Sequence, residues 1–444
     1  MFGECFMKRI QEEYKAKLHS PEEAVQAVKN GDWVDYSSNN GFPVLLDRAL
    51  AARRDELKHV KVRGNLLFGP VQVAECDETM EHFVYQTWHC SSYERRLVNN
   101  GRAFFSPMTF RNLAWYYENF LTVDVAMITV SPMDDEGYFN FSCSAGISGE
   151  IAAVAKTVIL EVNEAMPRLY GEGQKIHISQ VDCVVEAGNL PLQGLPNPEP
   201  TDDDRKIAAN ILPYIEDNSV LQLGIGGTPN ALGGLISESG IRNLGMHTEL
   251  CSDGYLALFK AGRLTQSEKL ITGLLIGSKE LNDWADNNPQ LEIHPLSRVN
   301  DVSVIASKDK MVSINSCLNV DLFGQISSES SGLRHISGSG GQLDFVTGAT
   351  MSRRGKAFIC TPSTFTDRDG ILRSRIVPSF NGDIITTPRS QAYYLVTEQG
   401  AVNLAGLSTW ERADALISIA HPDFREELIS RAQEMKIWLP HNKR

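Results

Sequence analysis

Apolar runs of strand length alternate along this chain with stretches of helical character, and that alternation restricts the fold more than any other feature. The runs at 60–68 (VKVRGNLLF), 123–130 (VDVAMITV), 156–162 (KTVILEV), 270–277 (LITGLLIG), 301–306 (DVSVIA) and 356–361 (KAFICT) are bounded by turn residues. Several are continuously apolar, so both faces of such strands must be covered, which is the condition of a parallel sheet flanked by helices. One phrase, strand then tight turn then helix, occurs twice. WVDY (33–36) passes through SSNNGFP into VLLDRALAARRDEL, and VLQLG (220–224) passes through IGGTP into NALGGLISES. Pro43 and Pro229 stand where a first helical residue tolerates a missing N–H, and Gly240 is placed to cap the second helix. The repetition predicts an α/β protein of two related domains with mainly parallel sheets. DDEGY (134–138) reads as a tight turn in which Gly137 takes positive φ.

The chain's 444 residues exceed what one ordinary core organises. The segment 189–204, NLPLQGLPNPEPTDDD, combines four prolines with an acidic run and reads as an extended linker. It separates an N-terminal domain, 1–188, from a C-terminal domain, 205–444, whose first helix is marked by Thr201 and Asp204. A formal net charge of −13 argues against nucleic acid as a partner, because phosphate binding requires basic surface. No apolar run approaches the roughly 20 residues of a membrane span. The N-terminal MFGECFMKRIQEEYKAKL is helical in pattern and lacks a secretory apolar core, so a cytoplasmic location is expected. The eight cysteines are scattered singly without a zinc spacing and read as small buried hydrophobes, so no metal is expected.

Three glycine-rich or polar phrases carry chemistry. Gly224-Ile225-Gly226-Gly227-Thr228-Pro229 follows a strand and opens a helix, an arrangement whose amides suit an oxyanion or a phosphate. It lacks the third glycine of a dinucleotide fingerprint, which weakens a nicotinamide-dehydrogenase reading. Gly338-Ser339-Gly340-Gly341-Gln342-Leu343-Asp344-Phe345 allows close backbone approach to a ligand, and Arg353, Arg354 and Lys356 follow it. Met246-His247-Thr248-Glu249-Leu250-Cys251-Ser252-Asp253-Gly254 sets a polar cluster between a strand-like segment and a helix. Taken alone, Glu249 reads as an acid at a helix start and His247 as a hydrogen-bonded structural histidine.

Together, MHTELCSDG, GIGGTPNA and GSGGQLDFVTGA resemble the acetyl-CoA hydrolase/transferase family of class I CoA-transferases. The likeness extends through VSPMDDEGYFNF (130–141), EVNEAMPRLYGEGQKIHISQVD (161–182) and LVTEQGAVNLAG (395–406). It implies an active site between two α/β domains, with Glu249 as a covalent nucleophile and no permanently bound cofactor; coenzyme A enters as a substrate thioester. Gly224, Ile225, Gly226, Gly227 and Thr228 match the loop that serves the oxyanion and acyl-CoA, and Gly340, Gly341 and Gln342 match the loop along CoA. Asn315, Lys356, Glu398 and His247 fall in segments similar to CoA-contacting or supporting ones. The likeness of GFP (41–43) to the family is loose. The branch most similar exchanges CoA between butyryl-CoA and acetate, with 4-hydroxybutyrate transfer and acetyl-CoA hydrolysis as alternatives in the same family. A CoA-binding regulator without turnover would have no use for an intact Glu249 and both glycine loops. A homo-oligomer is expected for an enzyme of this kind.

Overall fold

The structure, a computed structural model, describes residues 2–194 and 199–442, with side chains described from residue 7 onward. The chain forms two compact units, Met1–Leu195 with Glu249–Cys251 and Lys269–Val299, and Pro196–Thr248 with Ser252–Glu268 and Asn300–Arg444.

In the first unit seven strands form one sheet in the order Cys183–Gly188, Thr157–Asn163, Val125–Val130, Trp33–Tyr36, Val60–Gly64, Phe83–Thr87, Phe104–Phe105. Every neighbouring pair is parallel. All six residues of Val125–Val130 are buried, as a strand covered on both faces requires. Val34, Tyr36, Leu46, Leu50, Val62 and Tyr85 form the centre of its core. The chain begins at the middle strand, adds three strands on one side and then three on the other. The order therefore reverses between Trp33–Tyr36 and Val125–Val130.

The second unit repeats that scheme. Its strands run in the order Gly400–Asn403, Tyr394–Thr397, Lys356–Cys360, Met311–Ser316, Val220–Leu223 and then Gly245–Cys251, of which residues 245–248 belong to this unit. All pairings are parallel except the outermost, between Tyr394–Thr397 and Gly400–Asn403. Again the first strand, Val220–Leu223, lies inside the sheet with later strands on both sides. The shared topology, an α/β fold in both units, is what the doubled strand–turn–helix phrase predicted.

Several local expectations need correction. Residues 301–306 are not a strand: Asp301 accepts hydrogen bonds from Ser303 N and Val304 N and so starts the helix Val302–Ala306. The apolar run at 60–68 ends as a strand at Gly64, because Leu66 turns to φ 51°. Pro43 is the N-cap of Val44–Ala52 and Pro229 the third residue of Gly227–Glu238, rather than the first residue of either helix, and Ser239, not Gly240, caps the second at its carboxyl end. Thr201 and Asp204 do form a capping box, starting Asp202–Ile211. Gly137 takes φ +89° in the turn that Asp134 closes through Glu136 N and Tyr138 N. The segment read as an extended linker is bound at its start. Leu190 and Gln193 each exchange a pair of hydrogen bonds with an asparagine side chain. Seven described cysteines are free thiols, and all but half-buried Cys76 are buried. No described helix is long and apolar enough to cross a membrane.

Candidate active site

The first glycine loop is shaped by close contacts at Gly224 and Gly227 and by the backbone conformation of Gly226. Gly224 N donates to Ile314 O at 2.9 Å, and a Cβ on Gly224 would stand 3.3 Å from that oxygen. Gly226, at φ +114° and ψ −169°, is the N-cap of Gly227–Glu238, and no side chain caps that helix. This backbone region is open essentially to glycine alone. A Cβ on Gly227 would meet the Asp204 carboxylate at 2.2 Å. Thr228 Oγ1 donates to Asp204 Oδ1 at 2.6 Å, which ties the loop to the capping box of the preceding helix. Burial works to raise the Asp204 carboxyl, but the Thr228 and Thr201 hydroxyls outweigh it and hold it below its ordinary range. The first N–H groups of a helix have no acceptor within the helix, so this end can receive an anion. Ile225, 53% exposed, sits at the tip of the loop.

Glu249 is not at a helix start. It belongs to the strand Gly245–Cys251, near its carboxyl end, and is half-buried. Its backbone is closely seated: a Cβ on Gly273 would stand 3.2 Å from Glu249 O, and Ile276 N donates to Cys251 O at 3.1 Å. Gly273 is backed by Gly146, where a Cβ would come within 2.2 Å of Gly273 O. Two glycines in succession thus let the end of this strand pack backbone against backbone. In the other unit, His247 is buried on the same strand with its ring 6.1 Å from that of Phe345. Tyr255, on the helix after the strand, accepts from Leu223 N at 2.9 Å and donates to Leu221 O at 3.2 Å. That bridge holds the helix Asp253–Lys260 to the strand that feeds the first glycine loop.

The second glycine loop also ends at a helix. Gly340 takes φ +53°, Gly341 is the N-cap of Gln342–Met351, and Gln342 Nε2 donates to Thr387 Oγ1 at 3.0 Å. Asn315 stands beside Gly224's strand, where its amide and that of Gln222 exchange hydrogen bonds of 3.1 and 3.3 Å. Glu398 follows Tyr394–Thr397 and accepts Ser363 N at 2.8 Å together with the Ser363 hydroxyl. Burial pushes its carboxyl up, and these Ser363 bonds draw it below the usual carboxylate range. Gly224, Asn315 and Glu398 therefore share the carboxyl edge of the second sheet. Lys356 does not: it pairs with Val312 at the amino end of its strand, whereas Asn315 pairs with Ile359. The neighbouring cations are engaged in surface ion pairs, Arg353 with Asp309 and Arg354 with Glu216. Gln222, Ser363, Gly146 and Gly273 were not singled out from sequence and carried no local signal; Asp204 was marked there only as a helix start, by its spacing from Thr201.

Two buried carboxyls of the first unit predict a pH effect. Burial pushes Asp47 and Glu161 up to about 7, against the backbone hydrogen bonds each accepts. Unfolded, they titrate near about 4. Between those values the folded protein holds more protons than the unfolded chain, so stability falls as pH rises through that window. The thermal midpoint is expected to be higher at pH 5.5 than at pH 8. The double variant Asp47→Asn, Glu161→Gln should flatten that slope in calorimetric scans; an unchanged slope contradicts the assignment.

Open parallel sheets with glycine loops at their carboxyl edges define a class of α/β protein that binds ligands outside the strand ends. Comparison with known proteins places the chain within that class. Residues 4–195 match the acetyl-CoA hydrolase/transferase N-terminal domain and residues 277–432 match the acetyl-CoA hydrolase/transferase C-terminal domain. The chain belongs to this family of enzymes. It is 44% identical to the butyryl-CoA:acetate CoA-transferase of Anaerostipes caccae, over 98% of this chain and 100% of that protein. It is 40% identical to a 4-hydroxybutyrate coenzyme A transferase of Clostridium kluyveri, covering 95% and 98%. The crystal structure of RipA from Yersinia pestis superposes with a TM-score of 0.88 at 33% identity, covering 96% of this chain and 99% of RipA.

Proposed function

We propose that this protein is an acyl-CoA:carboxylate CoA-transferase working through a glutamyl-CoA thioester on Glu249, with butyryl-CoA and acetate as its principal pair. The observation that carries the reading is Glu249 itself: a carboxylate at the carboxyl end of a strand, on a backbone closely packed by Gly273, in a chain of this family. The Glu249 carboxylate attacks the thioester carbonyl, forming a mixed anhydride and releasing the CoA thiolate. The thiolate attacks the glutamyl carbonyl, freeing the first carboxylate and leaving glutamyl-CoA. An incoming carboxylate runs the two steps in reverse. Thioester is exchanged for thioester, so the cycle is balanced without ATP, and its kinetics are ping-pong. Each tetrahedral intermediate carries an oxyanion, a charge the amides after Gly226 are suited to receive.

The similarity to the Anaerostipes caccae enzyme supports the butyryl-CoA and acetate pair. Incubation with butyryl-CoA followed by borohydride should convert a single glutamyl thioester to the alcohol, and peptide mass mapping should find it at Glu249. Modification at another residue, or none during turnover, would sink the proposal. A hydrolase would release CoA without added carboxylate, so dependence of CoA turnover on acetate separates the two activities.

A further inference from the structure

The helix Ala145–Val154 carries Gly146 and Glu150 on one face, since residues four apart in a helix lie one above the other. Both meet the short helix Leu296–Val299. At Gly146 the missing side chain makes room for Leu296: a Cβ there would stand 3.1 Å from Leu296 Cγ. The buried Leu296 also covers Gly273, whose Cβ would meet Leu296 Cδ2 at 2.3 Å and Glu249 O at 3.2 Å. Leu296 is thus the layer behind the glycine that seats the nucleophile's backbone.

Glu150 grips the residue that follows Leu296. Its Oε1 accepts the Ser297 hydroxyl, and the carboxyl also takes the Ser297 backbone N–H. Two residues before Leu296, His294 N donates to Thr272 O at 2.8 Å, which fastens the segment to the strand carrying Gly273. The ion pair of Arg298 with Glu172 is exposed on both sides and contributes little. Glu150 and Pro295 border a cavity of about 590 Å³, so on that side no packed layer presses the segment inward. Leu296 is held between two fastenings, one to its own strand neighbour and one to Glu150.

Stability alone gives no reason for a carboxyl at this place. Burial pushes Glu150 up to about 7, against the bonds from Ser297. Its second oxygen, Oε2, is buried and accepts no hydrogen bond among the described residues. A buried acceptor left without a donor destabilises the fold, whereas apolar groups replacing both partners of such a bond cost little. Glu150 therefore invites an explanation outside stability.

We infer that Glu150 is a positioning residue for CoA transfer: through Ser297 and Leu296 it fixes the backbone of Glu249 where the carboxylate reaches the thioester carbonyl. The inference rests on the reading of Glu249 as nucleophile. Without the grip, Leu296 is free to shift in the space that Gly146 and Gly273 leave for it, and the backbone of Glu249 loses its support. The nucleophile keeps its charge, so attack is slowed by aim alone.

The double variant Glu150→Leu, Ser297→Ala makes both partners apolar, so its thermal midpoint should stay close to that of wild type. Formation of glutamyl-CoA in a single turnover with butyryl-CoA should nevertheless slow about tenfold or more, since a misplacement of about 1 Å costs on the order of 10²-fold. The butyryl-CoA concentration that gives half the maximal rate should change by no more than a few-fold. Glu150→Gln keeps an acceptor for Ser297 and should hold the rate within a few-fold of wild type. A native single-turnover rate in the double variant, a loss confined to its thermal midpoint or to butyryl-CoA affinity, or an equal loss in Glu150→Gln overturns the inference. If the double variant does not fold, Ser297→Ala decides: removing only the hydroxyl must slow the same rate, and a native rate overturns the inference. Wild-type enzyme that forms no adduct at Glu249 overturns the nucleophile reading instead.

Discussion

Glu249→Gln is expected to lower CoA exchange between acyl-CoA and carboxylate by roughly 10⁴-fold or more, the scale seen when a covalent nucleophile is removed. The substitution is isosteric, and the close packing at this position is made by backbone: Glu249 O against Gly273, with Cys251 O bonded by Ile276 N. The strand therefore has no reason to move, and the loss should fall on kcat. Acyl-CoA affinity should stay within a few-fold of wild type, because the glycine loops that would hold the thioester and CoA are intact. No borohydride-trappable adduct should form. Glu249→Asp tests position rather than charge. It keeps the carboxylate but withdraws it by one methylene, and a misplacement of about 1 Å costs on the order of 10²-fold. The ordering wild type, Asp, Gln in kcat, with nearly constant affinity, is specific to a nucleophile. If Gln retained more than about one hundredth of wild-type turnover, Glu249 would be a binding residue and the glutamyl-CoA route would be wrong.

Much of this arrangement was legible in the sequence, for reasons that can be located. Val125–Val130 is apolar at nearly every position because both its faces are covered, and such a run declares a parallel strand without help from neighbours. The capping box at Thr201 and Asp204 and the turn at Gly137 are local chemistry, complete within a few residues. Residues 301–306 were misleading because β-branched residues dominate them; the decisive signal was the single Asp301 side chain, whose bonds to the backbone outweigh propensity. Glu249 was misplaced by the opposite error. Its polar neighbours suggest a helix start, yet HTELC continues the strand that begins at Gly245. The Gly146–Gly273 contact and the two asparagine clasps could not be read, since each joins residues far apart in the chain. Asn40 and Gln193 are separated by 153 positions, and nothing at either end announces the other.

The second large effect is expected at Gly226. A Cβ there would meet nothing within 4 Å, so crowding is not the issue; its backbone at φ +114° is. An alanine in that region costs about 1–3 kcal/mol, and the loop can escape the cost only by turning Gly226 toward ordinary φ. Doing so re-aims the amides at the start of Gly227–Glu238, the groups available to an oxyanion. Losing one such donor costs about 10²–10³-fold in rate, so Gly226→Ala should lower kcat by that order while leaving the circular dichroism spectrum unchanged. Neighbouring glycines supply the controls. Gly224→Ala brings its Cβ to 3.3 Å from Ile314 O, a tight contact at a position without positive φ, and should cost less in kcat. Gly227→Ala drives a Cβ into the Asp204 carboxylate and breaks the latch to Thr228, so its loss should appear in thermal stability as well as in rate. A Gly226→Ala enzyme with native kcat would show that these amides stand apart from the developing charge, and the oxyanion would then have to be held elsewhere.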